Sequence, residues 1–232
     1  MLQLDYDLGT IDFFKDTHLC NVLKRHRTDK ATLHNYSKVY HRLFSKYIGQ
    51  SINYFELGIG SISGGNSSMN YLLKVMGDGF YQPGASLRGF SEYFQNANIH
   101  GSDIDRSILF NDDNILTYFV DQLNVDSIKL LWENVHPTFD IMIDDGIHTF
   151  EGCRIFFENS FHKLKPFGFY IIEDVHINLY EQFNSYFKDM GIYYKFLACP
   201  IDARMNDEYC KGDVPVHWKY PLYQNNLIVI VK

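Results

Sequence analysis

Apolar and aromatic residues gather in short runs at 52–57 (INYFEL), 98–103 (NIHGSD), 116–121 (LTYFVD), 139–144 (FDIMID), 167–174 (FGFYIIED), 193–198 (YYKFLA) and 226–231 (NLIVIV). Runs of this length, set off by Gly, Asn and Asp, read as strands. Between most of them the spacing changes to a helical one, at 86–95, 125–135, 149–164 and 177–190. Upstream, residues 33–48 set Tyr36, Val39, Tyr40, Leu43, Phe44 and Tyr47 on one face of an amphipathic helix. This alternation predicts an α/β fold, a doubly wound, mostly parallel Rossmann-like sheet of seven strands. The stretch before the last run has no helical pattern, and a strand reached without a crossover helix is expected to run antiparallel.

Residues 1–50 form a helical lead-in and 51–232 the α/β domain. Residues 61–84, with Gly, Ser and Asn around a few apolar positions, break the pattern. They read as an insertion over the top of the sheet, serving as a substrate lid or an oligomer contact and leaving self-association open. The composition, 46% hydrophobic against 21% charged, is that of a packed domain and excludes extensive disorder. A net charge of −7 carries no footprint for nucleic acid, and no apolar run reaches the length of a membrane span. The first residues are acidic where a secretory signal would be basic, so a cytoplasmic protein is expected. Cys20, Cys153, Cys199 and Cys210 show no CxxC spacing and read as reduced thiols.

The chemistry concentrates at strand ends. FELGIG closes the first strand with Gly58 and Gly60, a turn that lets the backbone approach a ligand, but Ser63 stands where a dinucleotide fingerprint wants its third glycine. Glu56 is awkward beside a pyrophosphate and suits a cation. S-adenosylmethionine, with a sulfonium, an ammonium and no phosphate, fits better than a nicotinamide dinucleotide. Asp103, at the end of the second strand, is placed for ribose hydroxyls, and Asp121 with Gln122, after the third, for the adenine amino group. An ordinary βα turn, a helix cap or a solvent-facing acid is the plainer reading of each one alone.

Strands four and five finish in Asp144, Asp145, Gly146 and His148, and in Glu173, Asp174 and His176. Acids at neighbouring strand ends repel unless a positive charge lies between them, and oxygen ligands favour a hard ion such as Mg²⁺, with Mn²⁺ or Ca²⁺ as alternatives. A metal lowers the pKa of a bound hydroxyl, and an imidazole can then take its proton. Helix capping by the acids and packing by His148 are the bland alternatives.

In this order, ELGIG, PGASLRGFSEYF, IHGSDIDR, YFVDQLN, FDIMIDDGIHTF and KPFGFYIIEDV, with TDKATLHNYSKVYHRLF upstream, resemble the class I S-adenosylmethionine-dependent methyltransferases. The likeness is to the metal-dependent macrocin and mycinamicin sugar O-methyltransferase type and spans about residues 28–175. The resemblance implies Asp145, Glu173 and Asp174 as metal ligands and His148, beside Asp145, as the base. It implies Glu56, Gly58, Asp103 and Asp121 as cofactor contacts, and Ser86 and Arg88 beside the methionine part, Arg88 suited to its carboxylate; Asp144, at the end of strand four, is a further candidate cofactor contact. The expected reaction is O-methylation of a sugar in a capsule, lipopolysaccharide or glycosylated metabolite. Alternatives are a small non-sugar capsule precursor such as a phosphoramidate, a nicotinamide-dependent oxidoreductase, or a non-catalytic scaffold. The insertion and the tail DEYCKGDVPVHWKYP (207–221), within the segment 199–225, match no part of the resemblance and are expected to shape the acceptor pocket.

Overall fold

The computed structural model describes residues 2–31, 34–62, 69, 81–200 and 225–232. Most of the insertion, most of segment 199–225 and Cys210 therefore lie outside the described residues. The strands are β1 (Asn53–Leu57), β2 (Asn98–Asp103), β3 (Asn111–Asp112), β4 (Ile115–Phe119), β5 (Phe139–Asp144), β6 (Leu164–Ile172), β7 (Tyr194–Ala198) and β8 (Asn226–Val231). They form one sheet in the order β3-β4-β2-β1-β5-β6-β8-β7. All seven expected strands are present, and β8 runs antiparallel between β6 and β7, as expected for a run with no helical pattern before it. The eighth, β3, is two residues long, exposed and antiparallel to β4. No hydrophobic periodicity announces an element that short.

Because β2 lies on one side of β1 and β5 on the other, the winding reverses at β1. Ligands in open α/β sheets bind in the crevice outside the carboxyl ends of the strands at such a point.

Strand side chains alternate between faces, so Tyr54 and Phe55 enter different cores. On the Tyr54 face pack α1 (Leu2–Gly9), α2 (His18–Arg25), α3 (Tyr36–Phe44) and α4 (Ala85–Phe94), through Leu23, Tyr40, Phe44 and Phe90. On the Phe55 face pack α5 (Val125–Asn134), α6 (Phe150–Ser160) and α7 (Tyr180–Asp189), through Trp132, Phe156 and Phe187. Each such side chain contributes roughly 1.5–3 kcal/mol on burial. The lead-in helices thus share a core with the sheet.

Element ends follow their capping chemistry. The helix expected over 149–164 begins at Phe150 because the Thr149 hydroxyl accepts from the Gly152 amide at 3.1 Å, and it closes in a 3-10 turn, Phe161–Lys163. Strand β6 begins before the expected residue 167, its pairing with β5 interrupted by a register shift. The irregularity falls beside Pro166, which has no amide to donate. Cys20, Cys153 and Cys199 are buried free thiols. Among the described residues no helix is long and apolar enough to cross a membrane.

Candidate active site

A cavity of about 790 Å³ opens at the carboxyl ends of the central strands. Its walls include the turn after β1, the ends of β2 and β4, the turn after β5, Asp174, and Thr28–Lys30 from the lead-in. The turn after β1 depends on Gly58, which has φ +82°; a Cβ there would lie 2.0 Å from the Asp145 carbonyl oxygen. Glycine is therefore required both by the left-handed backbone and by the neighbouring turn. His148 and Asp174 also adopt positive φ, 56° and 51°, uncommon for residues with side chains. Thr149, and neither Asp144 nor Asp145, caps α6, so capping does not consume these acids.

The carboxylates are met by residues of the lead-in. The ammonium of Lys30, 1% exposed, lies 2.6 Å from Asp145 Oδ2, 2.8 Å from Glu173 Oε2 and 3.3 Å from Glu56 Oε1. Burial alone would lower its pKa, but Asp145, Glu173 and Glu56 together hold it well above the ordinary lysine value. Tyr36 and Tyr40, one helical turn apart on α3, donate their hydroxyls to Asp174 Oδ1 and Glu173 Oε1, both at 2.6 Å. Glu56, fully buried, also accepts from Tyr54 and Ser86, at 2.7 and 2.8 Å.

Among the described residues, Asp145, His148 and Asp174 bring one potential ligand atom each to within 4.8 Å of one another. His148 Nε2 is 3.8 Å from Asp145 Oδ1 and 3.9 Å from Asp174 Oδ2. His34 Nε2 approaches Asp174 from the other oxygen, at 3.8 Å. Burial raises the Asp145 carboxyl to about 7, against the pull of Lys30 and His148. Burial acts the same way on Asp174, but His34, His148 and the Tyr36 hydroxyl outweigh it and hold that carboxyl below the usual range. Glu173, expected in the metal set, has its two oxygens engaged by Lys30 and Tyr40.

The remaining candidates separate into two groups. Glu56, Gly58, Gly60, Ser86, Asp103, Asp121 and Gln122 line the cavity. Asp103 accepts from the amides of Ile59 and Asp105, both at 2.9 Å, and Asp121 accepts from the Leu123 amide at 3.0 Å. The Gln122 amide group donates to Asp144 and its carbonyl accepts from the Ile147 amide, bracing the turn after β5. Asp144 is not on the cavity wall; it is 1% exposed, and burial raises its pKa to about 6. Arg88 also lies off the wall, donating to the Pro83 carbonyl at 2.8 Å with its guanidinium 4.0 Å from the Phe110 ring centroid. His176, the other imidazole considered, accepts from the Asn178 amide as the cap of a 3-10 turn.

Sequence reasoning missed Lys30, His34 and the polar duty of Tyr36 and Tyr40. The tyrosines' helical spacing accounted for them as core, which they also are. The demand for a positive charge among the acids was the available signal for Lys30, but nothing in its spacing points to residues more than a hundred positions away.

No protein-family model matches the chain. It is 27% identical over 195 residues to an 8-demethyl-8-alpha-L-rhamnosyl tetracenomycin-C 2'-O-methyltransferase of Streptomyces olivaceus, covering 82% of this chain and 47% of that protein. It is 30% identical over 161 residues to a demethylmacrocin O-methyltransferase of Streptomyces fradiae, covering 68% and 36%. The chain thus spans about half or less of these curated relatives. Among solved structures, the MycE methyltransferase of the mycinamycin biosynthetic pathway, in complex with Mg, SAH and mycinamycin VI, is 28% identical with a TM-score of 0.56. That likeness covers 71% of this chain and 40% of MycE. The 30% identity to the demethylmacrocin enzyme over 68% of this chain, together with the fold likeness to MycE, establishes that the chain belongs to the class I S-adenosylmethionine-dependent methyltransferases of the macrocin and mycinamicin sugar O-methyltransferase type.

Proposed function

We propose that the protein transfers the methyl group of S-adenosylmethionine to a sugar hydroxyl with the help of a divalent ion such as Mg²⁺ or Mn²⁺. The observation that carries this reading is the convergence of Asp145, His148 and Asp174 on the wall of a cavity at the β1 switch point. The donor set fits a hard cation, since two carboxylates that face the cavity supply oxygen against the single imidazole of the cluster, His148, while His34 meets Asp174 at its other oxygen. Asp145 and Asp174 would hold the ion, with Glu173 behind them. When bound, it supplies positive charge that favours ionisation of the acceptor hydroxyl.

The chain's own residues have distinct duties in this reading. Glu56, Gly58, Gly60 and Ser86 border the methionine part of the cofactor, and Asp103 and Asp121 its ribose and adenine. His148 Nε2 accepts the hydroxyl proton. The acceptor oxygen forms its bond to the methyl carbon as the carbon–sulfur bond breaks in line, leaving a methyl ether and S-adenosylhomocysteine. Residues 1–50 act as a wall of this site and 51–232 as the methyltransferase domain.

A sugar acceptor is supported by the names of the relatives, one a rhamnosyl tetracenomycin-C 2'-O-methyltransferase and another a mycinamicin VI 2''-O-methyltransferase. Whether the sugar belongs to a glycosylated metabolite or to a capsule or lipopolysaccharide is decided by the acceptor that turns over. The test is calorimetry of the metal-stripped protein with S-adenosylmethionine and with NADH, followed by methyl transfer to glycosylated acceptors with Mg²⁺. S-adenosylmethionine should bind and NADH should not; the reverse would return the oxidoreductase reading. His148→Ala should bind the cofactor normally and lose roughly 10² to 10⁴ in turnover. Full activity in that variant would remove His148 from the proton transfer.

A further inference from the structure

We propose that Lys30 is a resident cation that competes with the divalent ion for the same carboxylates, weakening metal binding and confining it to the His148 side of the cluster. This rests on the metal reading above.

Asp145 is the point of contact between the two cation positions. Its Oδ2 lies 2.6 Å from the Lys30 ammonium, while its Oδ1 faces His148 at 3.8 Å. One carboxylate therefore presents one oxygen to the lysine and the other to the Asp145, His148 and Asp174 group. Glu173 belongs to the lysine: Oε2 accepts from Lys30 at 2.8 Å and Oε1 from Tyr40 at 2.6 Å. To ligate an ion, Glu173 has to release one of these donors or use its remaining lone pairs. The ammonium cannot retreat into water, because the Lys30 side chain is 2% exposed and is held by Glu56 as well. The lysine is also the counter-charge for two buried acids, Glu56 and Glu173, and for the partly exposed Asp145, and a buried acid left without its counter-charge is strongly disfavoured. The same charge that makes the acid cluster tolerable is thus a repulsive neighbour for a second cation.

The consequence runs against the usual effect of mutating an active-site lysine. Replacing Lys30 by an uncharged residue of similar length should tighten metal binding. We would titrate Mn²⁺ into protein free of cofactor and acceptor, counting unbound Mn²⁺ by its paramagnetic resonance signal. Lys30→Met should bind Mn²⁺ about tenfold or more tightly than wild type, and its melting temperature should rise more on adding Mn²⁺. Because Lys30→Met leaves Glu173 buried without its ammonium, a second pair makes the same comparison with that acid neutralised: Glu173→Gln against Glu173→Gln with Lys30→Met. If Lys30→Met does not fold, this pair decides, again with tighter Mn²⁺ in the chain lacking the ammonium. Equal or weaker Mn²⁺ binding without Lys30, in folded protein, overturns the proposal and leaves the metal reading intact. No Mn²⁺ binding by wild type or by any variant overturns both.

Discussion

At the scale of single residues, the row of acids was legible because strand ends in a parallel sheet share one edge, so position along the chain located Glu56, Asp103 and Asp145 on one cavity wall, with Glu173 behind them at Lys30. Their partners were not legible, because Lys30 reaches Asp145 and Glu173 by tertiary packing of a distant segment. Gln122 shows the same limit: its residue type suits adenine, but its amide is spent on Asp144 and Ile147. A further buried group, His100, makes a pH prediction. It is stacked on Tyr118, edge-on to Phe139, and burial lowers its pKa to about 4. Above about pH 6.5 the imidazole is neutral in both states and contributes no pH dependence. Between there and about pH 4 the unfolded chain takes up a proton that the folded one refuses, so stability falls as pH falls, by at most about 1.4 kcal/mol per unit. Asp144 and Asp145, with raised values, act in the opposite sense, so the group is best isolated by difference. Urea melts of wild type and His100→Gln should diverge in favour of the variant on going from pH 7.5 to 4.5. A pH-independent difference would show that His100 titrates alike in the folded and the unfolded chain.

At the scale of elements, the central strands were legible because parallel strands buried on both faces read as continuous apolar runs. Helix existence was legible too, while helix starts were set by individual caps. The one at Thr149 has a functional bearing. Thr149 directly follows His148, whose φ of 56° the turn must maintain, and its hydroxyl accepts from the Gly152 amide. Thr149→Ala should cost roughly 1 kcal/mol in stability. By loosening the orientation of His148, it should also lower the rate of methyl transfer several-fold with cofactor affinity unchanged. Thr149→Ser, which keeps the hydroxyl, should recover both. A stability loss without any change in rate would mean that the turn is held by Gln122 and Asp144 alone.

At the scale of the whole molecule, the lead-in is what the strand-by-strand reading undervalued. Amphipathic spacing identified α3 as a helix with a buried face, which it is, but that face carries two hydroxyls into the acid cluster as well as rings into the core. Residues 1–50 therefore have two jobs that stand or fall together. They supply Leu19, Val22, Leu23, Val39, Leu43 and Phe44, each at most 2% exposed, to one face of the sheet. They also supply Lys30, His34, Tyr36 and Tyr40 to Asp145, Glu173 and Asp174. Breaking one buried ion pair by removing a partner costs about 3–5 kcal/mol, against a total stability of roughly 5–15 kcal/mol for a typical domain. Loss of the apolar cover adds to that. A chain that begins at residue 51 should accordingly show no cooperative urea transition and no sharp near-ultraviolet dichroism, even with saturating S-adenosylmethionine and Mg²⁺. A cooperative transition in that chain would mean that the sheet and its acids are self-sufficient, and that the lead-in serves the acceptor alone.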